Sequence, residues 1–290
     1  EEHPRDETEQ RPEQVGAERE DESDADGGGH RPSGRGPAAM VSRSSRSTRS
    51  SRPRGRCAYR STTPDGSVNL KAPAPKVGGK PDFSGIWRVI RPANIPEGTG
   101  YAGTLDYWMA QGEKIPQNAQ AAAVFDQRMK GMGAGRPSEL CLPHAVPDAM
   151  AFGPFKLVQT PTLIVLLHEE FTRFRQIHLD GRALPKVDNP SWFGFSVGHW
   201  EGKELVVESN GFNDRSWLDD GGHPHSESLR TIERIRRPDF GHLEVAITIE
   251  DAVNYTKPWS FVYRFNLEPD TELIEDVCEN ELDSRHISKK

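Results

Sequence analysis

From Phe155 to Leu267 the chain is written as short apolar runs separated by turn signals, and this pattern constrains the fold more than any other feature. Leu243, Val245, Ile247 and Ile249 alternate with mostly polar neighbours, and Trp259, Phe261, Tyr263 and Phe265 share one parity. Period-two alternation over such lengths marks a sheet with one buried face. Phe155–Gln159, Leu163–Leu167, Phe174–Leu179, Phe193–Trp200, Glu204–Glu208 and Leu229–Ile235 complete the series. The Leu163–Leu167 run is continuously apolar, which suits a strand buried on both faces. Thr160-Pro161-Thr162, Asp180-Gly181 and Glu201-Gly202-Lys203 supply turns, the second of them a hairpin-type signal.

Gly85-Ile86-Trp87 opens an earlier strand. The insertion between it and Phe155 is loop and helix: Asp106–Met109 and Ala119–Met129 suit short helices, and Pro137 and Pro143 punctuate the loop that follows. Strands in series without helices between them exclude a parallel α/β sheet. The pattern predicts a mostly β domain, a sandwich or, preferably, an antiparallel up-and-down barrel, with a short helical insertion after the first strand. Closure is expected because it removes the sheet edges.

The first eighty residues have no part in that pattern. Only 34% of the chain is hydrophobic and its mean hydropathy is -0.73, and the deficit is concentrated there. An acidic stretch runs to about Asp26, and an Arg/Ser-rich one from Arg43 to Arg60. Neither buries enough apolar surface to offset the entropy of ordering. Residues 1–79 are therefore expected to form a disordered tail, and residues 80–290 a single β domain large enough to be stable alone. Read from Met40, the leader is basic and Ser-rich, like a transit peptide, without the apolar stretch of a secretory signal. The net charge of -7 argues against a general nucleic-acid binder, and no apolar run approaches the roughly 18–20 residues that span a bilayer.

Candidate chemistry concentrates in His223-Pro224-His225-Ser226-Glu227 and the strand after it. If extended throughout, His223, His225, Glu227, Leu229, Thr231, Glu233 and Ile235 share one face, opposite Arg230, Arg234 and Arg236. His223, His225, Glu227 and Glu233 are thus candidate catalytic residues, because inward carboxylates among apolar side chains can serve as general acid or base. A His-x-His pair on a strand can also converge on one metal. Glu227 would lie about 13 Å from His223 along the strand, at roughly 3.3 Å per residue, so a third ligand must come from elsewhere: His199, His178 or Glu208. The alternatives are loop histidines bonded to backbone or to Asp219 and Asp220, and a Glu paired with Arg. No other cofactor is specified, and no Gly-x-Ser-x-Gly elbow, P-loop or dinucleotide fingerprint is present. The aromatic residues belong mostly to the core, with Trp192, Trp200, Phe261 and Tyr263 as candidates to line a ligand pocket at the barrel mouth.

The Gly85-Ile86-Trp87 opening resembles the Gly-x-Trp start of lipocalin-like (calycin) barrels. The string Val158-Gln159-Thr160-Pro161, Val197-Gly198-His199-Trp200-Glu201-Gly202, Gly222-His223-Pro224-His225-Ser226-Glu227 and Tyr255-Thr256-Lys257-Pro258-Trp259 resembles a large family of uncharacterised, predicted exported proteins of environmental bacteria. The resemblance covers about Pro81 to Asn280. It implies a small-molecule-binding lipocalin-like barrel, periplasmic or secreted; a structural or partner-binding exported domain is a further alternative. Of the three cysteines, Cys57 lies in the tail. In an oxidising compartment Cys141 and Cys278 are expected to form a disulfide, the other reading being two buried thiols.

Overall fold

A computed structural model describes residues 62–95 and 104–278 of the chain, and its strands form where the alternation places them. They are β1 (Lys76–Val77), β2 (Lys80–Pro81), β3 (Gly85–Val89), β4 (Phe155–Gln159), β5 (Leu163–His168), β6 (Arg173–His178), β7 (Phe195–Glu201), β8 (Glu204–Asn210), β9 (Arg230–Arg236), β10 (His242–Glu250) and β11 (Trp259–Leu267). β1 and β2 pair as a separate ribbon, and β3 to β11 close into a barrel in which β10 bonds both β9 and β11, and β11 bonds β3. The inward parity is filled by packed side chains, with Trp87, Phe155, Tyr263 and Phe265 fully buried. β5 departs from expectation: Ile164, Leu166 and His168 are buried, whereas Leu167 is exposed, so only one face is covered.

The barrel is mixed rather than strictly antiparallel. β6 and β7 run parallel and pair at only two register positions, Ile177 with Ser196 and His178 with Val197. Asp180-Gly181 does turn the chain, with Gly181 at φ 82°, but residues 179–194 then cross back to the starting end. A crossover of that length is what a parallel pair requires and a hairpin does not.

The two ends differ. Short turns at residues 160–162, 202–203 and 237–241 gather at one end. There Arg237 packs 4.8 Å from the Trp87 ring centroid, while the Trp87 indole donates to the Phe83 carbonyl at 2.9 Å. The insertion and the links 169–172, 211–229 and 251–258 all occupy the opposite end. The insertion carries α1 (Ala119–Lys130) and α2 (Val146–Phe152). Asn118 caps α1 by accepting from the Ala121 amide, and Arg128 and Lys130 complement the dipole at its last turn. α2 starts with Pro147 in its first turn and is buried from Val146 to Ala151, a segment that was expected to be loop.

A disulfide joins Cys141 to Cys278 with a Cα–Cα separation of 5.6 Å. Of the expected tail, residues 1–61 lie outside the described residues. Residues 62–79 correct the boundary: the Phe240 and Gly241 amides donate to the Ala72 and Leu70 carbonyls at 2.7 and 2.6 Å. Ala72 is buried and Leu70 packs against the core, so backbone pairing holds a stretch whose composition offers few apolar side chains. No helix among the described residues is long and apolar enough to cross a membrane.

Candidate functional site

The end that holds the insertion gathers most of the buried polar groups. β9 begins at Arg230, so the face expected to run from His223 to Glu233 is broken: Pro224 removes a donor and residues 223–229 form a loop. His223 and His225 are both buried, but each faces its own partners. His223 Nδ1 lies 2.6 Å from Asp219 Oδ2, its Nε2 lies 3.6 Å from Asp106, and its ring stacks on Phe125 of α1 at 4.0 Å. His225 Nε2 accepts from the Ser216 hydroxyl at 2.8 Å, and its Nδ1 donates to the Ser226 carbonyl at 3.2 Å. His199 stands on the exposed face of β7 beside Glu201, at 3.4 Å. These three histidines therefore do not form the expected metal site, and His178 and Glu208 do not complete it: Glu208 pairs with Arg230 on the outer wall.

Asp219 is a structural hub. It accepts from the backbone amides of Leu105 at 2.7 Å, Gly222 at 2.8 Å and His223 at 3.0 Å. Burial alone would raise its pKa, but the His223 charge and these bonds hold it below the ordinary carboxylate value. Burial opposes the charge on His223 as well, and Asp219 outweighs it, so His223 is held above its usual value. For His225 burial dominates and lowers the pKa, which makes it a neutral hydrogen-bonding group.

Glu227 is exposed. Glu233 does point inward, fully buried, but it is the partner of a cation: Arg175 Nη1 donates to Oε2 at 3.0 Å and Nη2 to Oε1 at 2.5 Å. Arg175 also donates to Ser196 and Ser209 at 3.1 and 2.9 Å. Both oxygens of this carboxylate are thus taken up by one bidentate guanidinium, which makes the pair structural. The expected set of His223, His225, Glu227 and Glu233 is thus dispersed into one exposed residue and three separately bonded ones.

The aromatic candidates divide as well. Phe261 and Tyr263 belong to the packed interior, and Trp200 stacks on Phe83 at the turn-bearing end, with ring centroids 5.4 Å apart. Trp192 alone of the four borders a cavity. The short parallel seam leaves a cleft of about 390 Å³ in the barrel wall, lined by Arg173, Phe174, Trp192, Phe193 and Phe195 and reaching Arg175 and Ser196. Phe174 is 60% and Phe195 44% exposed. Gly194 turns the rim at φ 60°, where a Cβ would lie 2.3 Å from the Asn210 carbonyl oxygen, so only glycine fits there. Arg215 lies 4.9 Å from the Trp192 centroid. A larger groove of about 840 Å³ beside Pro73, Lys203, Arg236 and Glu244 lies on the outer wall, but there Arg236 is already bonded to Glu244 at 2.6 Å.

A further buried group, centred on His144, lies outside the residues singled out from the sequence. His144, just before α2, places Nδ1 2.7 Å from Asp148 Oδ2 and 3.5 Å from Asp220 Oδ1, and Nε2 3.1 Å from Glu170 Oε1. A His and an Asp four residues apart around a Pro that suits a helix start were the available signal. Burial pushes the Asp148 carboxyl up to about 8. Burial opposes the charge on His144 too, but Asp148 and Glu170 outweigh it and hold its pKa well above the ordinary value. His168, one strand away, is lowered to about 4 by burial and by Arg175.

Compared with protein-family models, curated proteins and solved structures, the chain matches none.

Proposed function

We propose that the domain is a small-molecule-binding barrel, and that its ligand sits in the wall cleft between β6 and β7 rather than in the packed interior. The carrying observation is the cleft lining. Phe174 and Phe195 expose large rings beside Trp192 and Phe193, Arg173 supplies positive charge at the rim, the charge of Arg175 being answered by Glu233, and no Asp or Glu is among the lining residues. Exposed aromatic surface in a concave site suits a planar apolar body. The Arg173 guanidinium suits a carboxylate on that body. The ligand class this chemistry selects is a small aromatic or conjugated acid. The lipocalin-like reading then applies to the architecture and the role, with the entrance moved to the side wall. The disulfide supports an exported protein, because such bonds persist in oxidising compartments.

Isothermal titration with a small aromatic acid and with its neutral amide tests the reading. The acid is expected to bind once per chain and the amide more weakly. Trp192→Ala and Arg173→Ala should each weaken the acid by about tenfold or more, equivalent to 1.4 kcal/mol. Saturable binding that both variants leave unchanged would count against the cleft.

A further inference from the structure

His144, Asp148 and Asp220 come from two separate parts of the chain, the entry to α2 and the β8–β9 link, and converge while buried. We propose that His144 Nδ1, Asp148 and Asp220 form a site for one divalent first-row cation, Zn2+ or Mn2+. The proposal goes beyond the ligand-binding reading and does not depend on it.

The geometry suits such an ion. Three donor atoms, one from each residue, lie within 4.8 Å of one another, and Nδ1 is 2.7 and 3.5 Å from the two carboxylates. An ion bound at roughly 2.0–2.2 Å from each donor needs donors about 3–3.5 Å apart, a spacing these separations bracket. A mixed imidazole and carboxylate set favours Zn2+ or Mn2+ over Ca2+. His144 Nε2, 3.1 Å from Glu170 Oε1, donates to that carboxylate, so that loss of the Nδ1 proton to an incoming ion would leave the Nδ1 lone pair toward Asp148 and Asp220. Metal-binding histidines are commonly oriented in this way.

A small chamber adjoins His144 where it meets Glu170. His168 is 6% exposed; its Nδ1 donates to the Ala149 carbonyl at 3.2 Å, and its Nε2 is buried with no hydrogen-bond partner. His168, His144 and Glu170 together line a chamber of about 10 Å³, close to the space one water needs. Asp148 and Asp220 do not line that chamber, so His168 stands beside the ion site rather than in it, with room there for one bound water. By contrast, the Asp219 carboxylate next door is saturated by backbone amides and His223.

The charges agree. Asp148, Asp220 and Glu170 surround His144, and Arg136 Nε lies 3.2 Å from Asp220. Carboxylate and imidazole bind a divalent ion only in their deprotonated forms, so binding should release protons and strengthen as pH rises.

The test is calorimetric titration of the full-length chain, after chelator treatment and dialysis, with Zn2+ and with Mn2+ at pH 6 and pH 8. One ion per chain is expected, bound at least tenfold more tightly at pH 8, with a heat that varies with buffer ionisation enthalpy. Asp148→Asn and Asp220→Asn should each weaken binding by a hundredfold or more, while His199→Gln leaves it unchanged. Melting curves show whether each variant is folded, and titration of the unsubstituted chain stands whatever they show. Absence of saturable binding by the unsubstituted chain at millimolar ion would overturn the proposal. Binding that survives the Asp148→Asn/Asp220→Asn double substitution but is lost in His199→Gln would overturn it equally.

Discussion

Replacing Glu233 by Ala should destabilise the barrel rather than disarm a catalyst. The register puts Glu233 opposite Val207 on one side and Ile247 on the other, inside the barrel, with side-chain exposure of 1% against 2% for Arg175. Removal of the carboxylate leaves the Arg175 guanidinium with its bonds to Ser196 and Ser209 and no counter-charge. Breaking a buried pair from one side costs about 3–5 kcal/mol. For a domain of this size that corresponds to a fall in Tm of roughly 10 °C. The double variant Arg175→Met/Glu233→Leu removes both charges, and the Ser209 hydroxyl still donates to Ser196 at 2.8 Å. Apolar replacement of a whole buried pair is often neutral, so the double variant should recover most of the loss. Thermal melts of the three chains read this directly. A Glu233→Ala chain melting within about 1 °C of the unsubstituted one would refute the reasoning, as would a double variant no better than the single.

Stability should fall in acid because His168 is buried neutral. Its folded pKa of about 4 lies below the ordinary 6.5, so its contribution is complete above 6.5 and is lost as pH falls from there toward 4. Arg175 and His144 are the charged and titratable groups beside it. Denaturant titrations at pH 7.5 and 5 should differ by about 2 kcal/mol from this residue, and His168→Gln should remove that part. An equal acid loss in the variant would refute the assignment. Cys141→Ser/Cys278→Ser should lose about 2–4 kcal/mol, because the bridge closes a long loop; an unchanged denaturation midpoint would deny it. A chain truncated to begin at Lys80 should melt several degrees lower than the full chain, since it lacks the Leu70 and Ala72 backbone bonds to Phe240 and Gly241; equal melting would return residues 62–79 to the tail.

The sheet was legible because its rule is local. Alternation in Leu243–Ile249 and Trp259–Phe265 sets which side chains face inward, and the same parity put Glu233 inside. The helix at Ala119 was legible from propensity; the Cys141–Cys278 bridge was one of two open readings, and the 5.6 Å Cα–Cα separation decides for it. What failed was non-local. Asp180-Gly181 signals a turn but not where the chain goes next, so the parallel seam and the cleft it opens were invisible. His-x-His parity assumed a strand through Pro224, and a loop took its place. His144 meets Asp220 only because α2 and the β8–β9 link share one end of the barrel, a consequence of closure that no spacing encodes. Tail composition hid residues 62–79, which are held by backbone bonds that any sequence can make.

The central claim is that the β6–β7 cleft holds the ligand. Hydrogen–deuterium exchange with and without a saturating small aromatic acid tests it most directly. The account predicts slower exchange in residues 172–176, 178 and 191–196, which line the cleft, and no change in residues 201–204 and 236–244 beside the outer groove. Protection at the outer groove, with the β6–β7 segments unchanged, would contradict it.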